Sequence, residues 1–254
     1  MSLKFATLGS GSKGNATLVC SAGARLLVDC GFTLRELLTR MAVLELDPAS
    51  LDAILVTHEH SDHSKGVGPL ARRFDLPVFM TPGTWLARDY GSCQANLIEG
   101  YGAFSIGDIC IQPVAVPHDA REPAQFTFQC GEQKLGILTD LGCITSHVLD
   151  AYSHCDGLIL EANHDRAMLA SGPYPPSLKR RVGSDWGHLN NEQAMAFLEM
   201  AMLPGLRQLV IAHISENNNS REFVARTFAS YSGCRDIVFA QQDAPSGWFQ
   251  LDPH

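Results

Sequence analysis

No stretch of the 254-residue chain approaches the roughly 18 consecutive apolar residues of a membrane span, which excludes an integral helical membrane protein. A charged-then-apolar secretion signal is also missing, and strand-like residues begin at Leu3. Linkers, low-complexity tracts and short-period repeats are absent, so the expectation is one domain spanning 1–254. Positive charge is scarce. Lys and Arg number 19 against 27 Asp and Glu, a formal net charge of -8. That excludes a protein that coats nucleic acid through a broad basic face, but not an enzyme that grips a few phosphates locally. Paired-cysteine motifs are lacking too. The eight cysteines (Cys20, Cys30, Cys93, Cys110, Cys130, Cys143, Cys155 and Cys234) stand singly, several within apolar runs where a free thiol acts as a small hydrophobe. Free thiols and no secretion signal point to the reducing cytoplasm.

Histidine is infrequent as well, ten in all, yet three fall within six residues of Thr57-His58-Glu59-His60-Ser61-Asp62-His63. The stretch follows Ala53-Ile54-Leu55-Val56, a short, partly β-branched run that reads as a buried strand opening into a loop. Alternation along an extended chain points His58 and His60 the same way, so both can hold one metal ion. If the chain then curls, Asp62 and His63 turn towards a second ion.

His-x-His-x-Asp-His after a strand resembles the metal signature of the metallo-β-lactamase fold family. The resemblance implies three further ligands in a fixed order, and matching residues end strand-like runs: His118 after Ala115-Val116-Pro117, Asp140 after Gly136-Ile137-Leu138-Thr139, and His213 after Leu209-Val210-Ile211-Ala212. A lone histidine of this kind is more often a core or surface residue. Three residues in the right order at strand ends reverse that expectation. The implied cofactor is a pair of divalent metal ions bridged by Asp140; the histidines suit zinc, and carboxylate bridging admits manganese or iron. Asp29, ending Arg25-Leu26-Leu27-Val28, is implied to support the metal-binding histidines from behind. The implied fold is α/β, a four-layer αβ/βα sandwich in which two sheets pack between outer helices.

Elsewhere the chain reads as alternating strands and helices. Gly9-Ser10-Gly11-Ser12-Lys13-Gly14-Asn15 contains a literal Gly-x-Gly-x-x-Gly. A dinucleotide fingerprint must open a helix, whereas Ala16 to Cys20 reads as a strand, so a hairpin loop is expected instead. The loop resembles one in the YycJ/WalJ branch of the family, which implies substrate contacts from Ser12 and Asn15. Thr33 and Glu36 form a capping box for a first helix, Val67 to Phe74 reads as a second, and residues 166–187 read as loop-rich.

The metal set alone names no substrate. Ribonuclease Z-like phosphodiesterases carry a glutamate ending the strand after the bridging aspartate, then a Gly-His turn opening a helix, and Glu161 and Gly187-His188 match. Glu161-Ala162-Asn163-His164-Asp165, Tyr174-Pro175, Lys179-Arg180-Arg181 and Gly187-His188-Leu189-x-Asn191 are most similar to the YycJ/WalJ branch. Asn190 departs from the serine expected there but can still cap a helix. The resemblance implies a phosphodiesterase acting on nucleic acid or another phosphodiester, with 5′-to-3′ exonuclease action on DNA as its narrowest form. A water shared by two metals attacks phosphorus, oriented by Asp62; His188, oriented by Glu161, protonates the leaving oxygen. Asn163, Asn191, Lys179, Arg180 and Arg181 are the expected substrate contacts. Two alternatives stay open: a small ester or thioester hydrolase of glyoxalase II type, which leaves Glu161 and His188 without a role, and a metal-stabilised regulatory module without turnover.

Overall fold

The computed structural model describes residues 2–251. Two seven-stranded sheets form the frame. The first contains β1 (Leu3–Gly9), β2 (Ala16–Cys20), β3 (Arg25–Val28), β4 (Ala53–Leu55), β5 (Val78–Met80) and β6 (Ala95–Leu97). The second contains β7 (Phe104–Ile106), β8 (Ile109–Ala115), β9 (Ala124–Cys130), β10 (Gln133–Leu138), β11 (Gly157–Glu161), β12 (Gln208–Ala212) and β13 (Ile237–Phe239). The chain then returns to the first sheet, where β14 (Phe249–Leu251) pairs antiparallel with β1, Leu3 opposite Leu251. Strands β3 to β6 run parallel, as do β10 to β13.

The helices of the first half are α1 (Leu34–Val43), α2 (Ser61–Ser64), α3 (Val67–Phe74) and α4 (Pro82–Ala87). Those of the second are α5 (Ser146–Tyr152), α6 (Arg166–Ser171), α7 (Pro176–Val182), α8 (Asn191–Met200) and α9 (Arg221–Phe228). Alternation along the strands assigns each side chain to one of three cores. Phe5, Val19, Leu26 and Leu55 of the first sheet meet Ile111, Phe126, Leu135 and Ile159 of the second. Leu18, Leu27 and Ile54 face outwards onto Leu37 and Met41 of α1 and Leu70 of α3. Leu158, Leu160 and Ile211 face outwards onto Val148, Phe197 and Val224 of α5, α8 and α9. Burial on both faces explains why the parallel strands read as unbroken apolar runs. The result is the four-layer αβ/βα sandwich.

The capping box expected at Thr33 is formed, with its Oγ1 accepting from Glu36 N at 3.3 Å. Asn190 also caps: its side chain accepts from Gln193 N at 2.8 Å, so the missing serine costs the helix nothing. The Gly-rich stretch joins antiparallel β1 and β2, and no helix follows it. Gly11 sits there at φ 146, which only glycine adopts without strain. One expectation is corrected. Residues 166–187 are not simply loop, because Asp165 accepts from Met168 N at 2.8 Å and starts α6, and Pro176 starts α7 with its preset φ. Gly and Pro density hid both helices.

Phe126 is fully buried between the sheets. Phe126→Ala should destabilise the fold by about 3–5 kcal/mol, while Val43→Ala on the exposed end of α1 should stay within about 0.5 kcal/mol, as read by urea unfolding. Equal effects would contradict this layering.

Candidate metal centre

The site lies at the carboxyl ends of the parallel strands of both sheets, where side chains leave rigid elements towards a common space. From the first sheet, the chain after β4 carries His58 and His60 and enters α2 with Asp62 and His63. It is held there by the β1–β2 loop and the turn after β3: Asn15 N donates to Asp62 O at 2.7 Å, and Cys30 N to His63 O at 2.7 Å. The approach is so close that a Cβ on Gly31 would fall 1.7 Å from Asp62 O. From the second sheet come His118 beyond β8, Asp140 beyond β10, Glu161 ending β11 and His213 directly after β12. Asp29, Asp140 and His213 turn into the site through left-handed backbone, at φ 61, 55 and 50. Non-glycine residues hold that conformation at a cost of about 1–3 kcal/mol each, which the surrounding packing must offset.

The histidine nitrogens have assigned partners. Asp29 accepts from Thr57 N, Thr57 Oγ1 and His63 Nδ1, each at 2.8 Å. His63 Nδ1 therefore carries a proton, and Nε2 is the nitrogen left for a cation. Thr57 Oγ1 has its own proton on Asp29, so it accepts from His58 Nδ1 at 2.9 Å. His118 Nδ1 donates to Gly187 O at 3.0 Å. His58 Nε2 and His118 Nε2 are thus unprotonated while the rings are neutral, and they face His60 Nδ1 at 3.0 and 3.3 Å. One shared proton cannot satisfy three converging nitrogens; a divalent cation can. A second group forms from Asp62, His63 and His213, with Asp140 between the two. Asp140 Oδ2 is buried 3.3 Å from His63 Nε2 and has no other polar partner. The donor set therefore fits divalent metal.

Glu161 sits behind this cluster, fully buried. It accepts from His188 Nδ1 at 2.8 Å, His213 Nδ1 at 3.1 Å, Leu189 N at 2.8 Å and Asp140 N at 3.1 Å. Burial would raise its pKa, but His188 and the bond to His213 hold it down at about 2. Burial would lower His213, yet Asp140 and Glu161 raise it to about 10. His63 is likewise raised well above the ordinary range, burial being outweighed by Asp140, Asp29 and Asp62. His58 moves the other way, well down, through burial and the charge of His63.

The cluster opens into a cleft of about 300 Å³ whose walls include Ser12, Asp62, Asn163, Arg181 and His188. Asn163 also donates to His213 O at 3.1 Å. Of the other expected substrate contacts, Asn15 stands behind the cluster, its Nδ2 3.0 Å from His63 Nε2, and Asn191 lies elsewhere. Asn15 is buried, its Oδ1 accepting from Gly11 N and its backbone carrying the metal loop. Asn191 is buried outside the cleft with its amide paired both ways to Asn219 at 3.1 and 2.8 Å, so it supports the fold rather than touching substrate. The basic run divides: Arg181 faces the cleft and pairs with Asp119, whereas Lys179 and Arg180 line a different cavity. Sequence reasoning passes over Thr57, Asp119 and Ser10. Adjacency to a motif histidine marks the first two, but nothing local marks Ser10, which accepts from His213 N across 203 positions.

Fold and donor set define a metal-dependent hydrolase of the metallo-β-lactamase fold. Residues 24–214 match the beta-lactamase superfamily domain, and the chain belongs to that family. It is 33% identical to the exodeoxyribonuclease WalJ of Streptococcus pneumoniae over 241 residues, 92% of this chain and 90% of that protein. It is 36% identical to the exodeoxyribonuclease YycJ of Bacillus anthracis over 227 residues, 87% of this chain and 86% of that protein. The fold is shared with the metallo-beta-lactamase fold protein YhfI of Bacillus subtilis, at TM-score 0.75 and 16% identity, covering 98% of this chain and 100% of that one.

With His63 well raised and His213 at about 10, both rings are protonated at neutral pH in the metal-free chain. Metal needs their lone pairs, so loading at pH 7 should release about two protons per chain. Calorimetric titration in buffers of different ionisation enthalpy measures this, and a heat independent of buffer would contradict the assignment.

Proposed function

We propose that the protein is a dinuclear-metal phosphodiesterase acting on nucleic acid, with 5′-to-3′ exonuclease action on DNA as its narrowest form. The observation that carries this reading is the His188–Glu161 pair. His188 borders the cleft with its side chain 19% exposed, while Nδ1 is locked at 2.8 Å to a carboxylate sealed from water. A hydrolase with a good leaving group has little use for such an imidazole; an alkoxide leaving from phosphorus needs a proton. The two exodeoxyribonucleases that match most of the chain support the same substrate class.

His58, His60 and His118 would hold one ion, Asp62, His63 and His213 the other, and Asp140 would serve both. Zinc suits the imidazoles, with manganese or iron as alternatives. Bound there, such ions supply a water of lowered pKa and a clamp on phosphoryl oxygens. The chain's own residues do the rest. Asp62, on the cleft wall, orients the attacking water. His188 delivers a proton to the leaving oxygen, and Glu161 aims it. Asp29 keeps His63 in the ligating tautomer, and Ser12, Asn163 and Arg181 border the path of the strand. Both sheets supply half the cluster, so we take residues 1–254 as one domain. No helix among the described residues is long and apolar enough to cross a membrane, and the cysteines are unpaired, in keeping with the cytoplasm.

Asp140→Ala should lower metal content and abolish hydrolysis while the fold persists, and His118→Ala should weaken one ion selectively. Two full equivalents of metal in the Asp140 variant, by elemental analysis, would refute the bridging role.

His188→Ala should retain both metals and lose activity on DNA by roughly 10²–10⁴-fold, the range of general acid catalysis. The loss should shrink for diesters that release p-nitrophenolate, which needs no proton. Equal losses on activated and unactivated substrates would remove His188 from proton delivery.

A further inference from the structure

Helix α7 separates two cavities. Leu178, Arg181 and Val182 line the metal cleft; Lys179, Arg180 and Gly183, on its opposite face, line a second cavity of about 520 Å³. The walls of that cavity also carry His164, Arg166, Gln193 and Ala196. Nothing in the proposed hydrolysis uses any of them. Arg166, Lys179 and Arg180 converge there, and among the described residues none has an ion-pair partner, while Glu192 is the one acid on the walls. Lys179 Nζ donates to Ala170 O at 2.7 Å, which leaves its charge unneutralised. In a chain of net charge -8, three cations without an acidic partner around one concavity form a local reversal of sign.

The second observation is independent of charge. His164 lies in the Glu161-Ala162-Asn163-His164-Asp165 stretch and is 2% exposed. Its Nδ1 is buried without any hydrogen-bond partner. A buried orphan of this kind costs about 1–3 kcal/mol, so it is expected where a ligand completes it. Its backbone is fixed from both sides, with Asn191 N donating to His164 O at 3.0 Å and a bridge to Asn190. Leu169, Ala170 and Ala196 add apolar wall beside the cations. Such a volume exceeds what a bare phosphate fills and matches a phosphate carrying a sugar and base.

We propose that this second cavity is a phosphate subsite for a nucleotide, with Arg166, Lys179 and Arg180 on the phosphate, His164 completing its hydrogen bonds, and the apolar wall taking the nucleoside. Within the nuclease reading, on which its link to DNA rests, the site grips the substrate strand one helix width from the scissile bond. This resolves how an acidic chain holds a polymer.

The test uses the metal-loaded full chain with three probes: inorganic phosphate, dAMP, and single-stranded DNA. Arg166→Ala/Arg180→Ala should raise KM for DNA about tenfold and lower the salt slope of binding by about 1.4, near 0.7 per lost contact on a single strand. Arg166→Glu should do the same to KM, yet keep bis-p-nitrophenyl phosphate hydrolysis within about twofold, because so small a diester occupies only the cleft. His164→Leu, matched in size, should weaken dAMP binding. If DNA kinetics are unmoved but dAMP or phosphate alters the wild-type rate and not that of the double variant, the subsite stands with a free phosphate ester as its ligand. If all three probes treat the double variant as they treat the wild type, the cavity is a solvated crevice and the proposal falls. A wild type that cleaves the small diester but no nucleic acid would sink the nuclease reading alone; dAMP binding would still decide the cavity.

Discussion

A carboxylate sealed from water is tolerable only where donors and positive charge surround it, and Glu161 shapes its half of the site on that condition. It stands at the end of the central strand of a parallel trio, its neighbours in register being Leu138 with Leu160 and Ala212 with Glu161 itself. The groups that satisfy it come from the end of β10, the end of β12 and the turn into α8. One buried charge therefore ties together Asp140, His213 and His188, three residues far apart in the chain. Removing such a partner leaves the others uncompensated, which in buried pairs costs about 3–5 kcal/mol.

The first sheet repeats the device with a shorter acid. Asp29 stands just past β3 and gathers Thr57 and His63, and through Thr57 it sets the ring of His58. Each sheet thus carries one buried carboxylate behind its histidines, and the metal-facing nitrogens are selected by what the opposite ring nitrogen already holds. Three residues of this arrangement adopt left-handed backbone, which a strand end tolerates because the ladder has stopped. Strain there is the geometric means by which a side chain leaves the pleat and points along the strand axis.

Much of this was legible in the sequence. His58, His60, Asp62 and His63 stand out by local density, whereas His118, Asp140, Glu161 and His213, single residues at the ends of apolar runs, were singled out through the family resemblance. The sandwich was readable from the order of strand-rich and helical segments together with the family resemblance. What stayed hidden depends on contacts that no local pattern encodes. The pairing of Asn191 with Asn219, the capture of His213 by Ser10 and the opposed faces of α7 all require the fold. Helices α6 and α7 were obscured because their starts, the cap Asp165 and the first-turn Pro176, sit among residues that equally favour turns. The run Lys179-Arg180-Arg181 read as one cluster, whereas the turn of the helix carries Arg181 to the metal cleft and leaves Lys179 and Arg180 on the other cavity.

That division bears on how charge is used here. A net charge of -8 opposes polyanions at long range, but screening confines the effect to about 8–10 Å at physiological salt. Two divalent ions would halve the formal excess and place their charge at the bottom of the cleft, among Asp62, Asp140 and Glu161. Arg181, held by Asp119 at the rim, is largely neutralised by its partner and so serves position more than attraction. Attraction is left to cations without an acidic partner, and Arg166, Lys179 and Arg180 are such a group, on the far side of the helix that carries Arg181. A strand reaching both the metals and the far side of α7 would then meet favourable charge at two separated points, in a chain whose net charge of -8 otherwise opposes it.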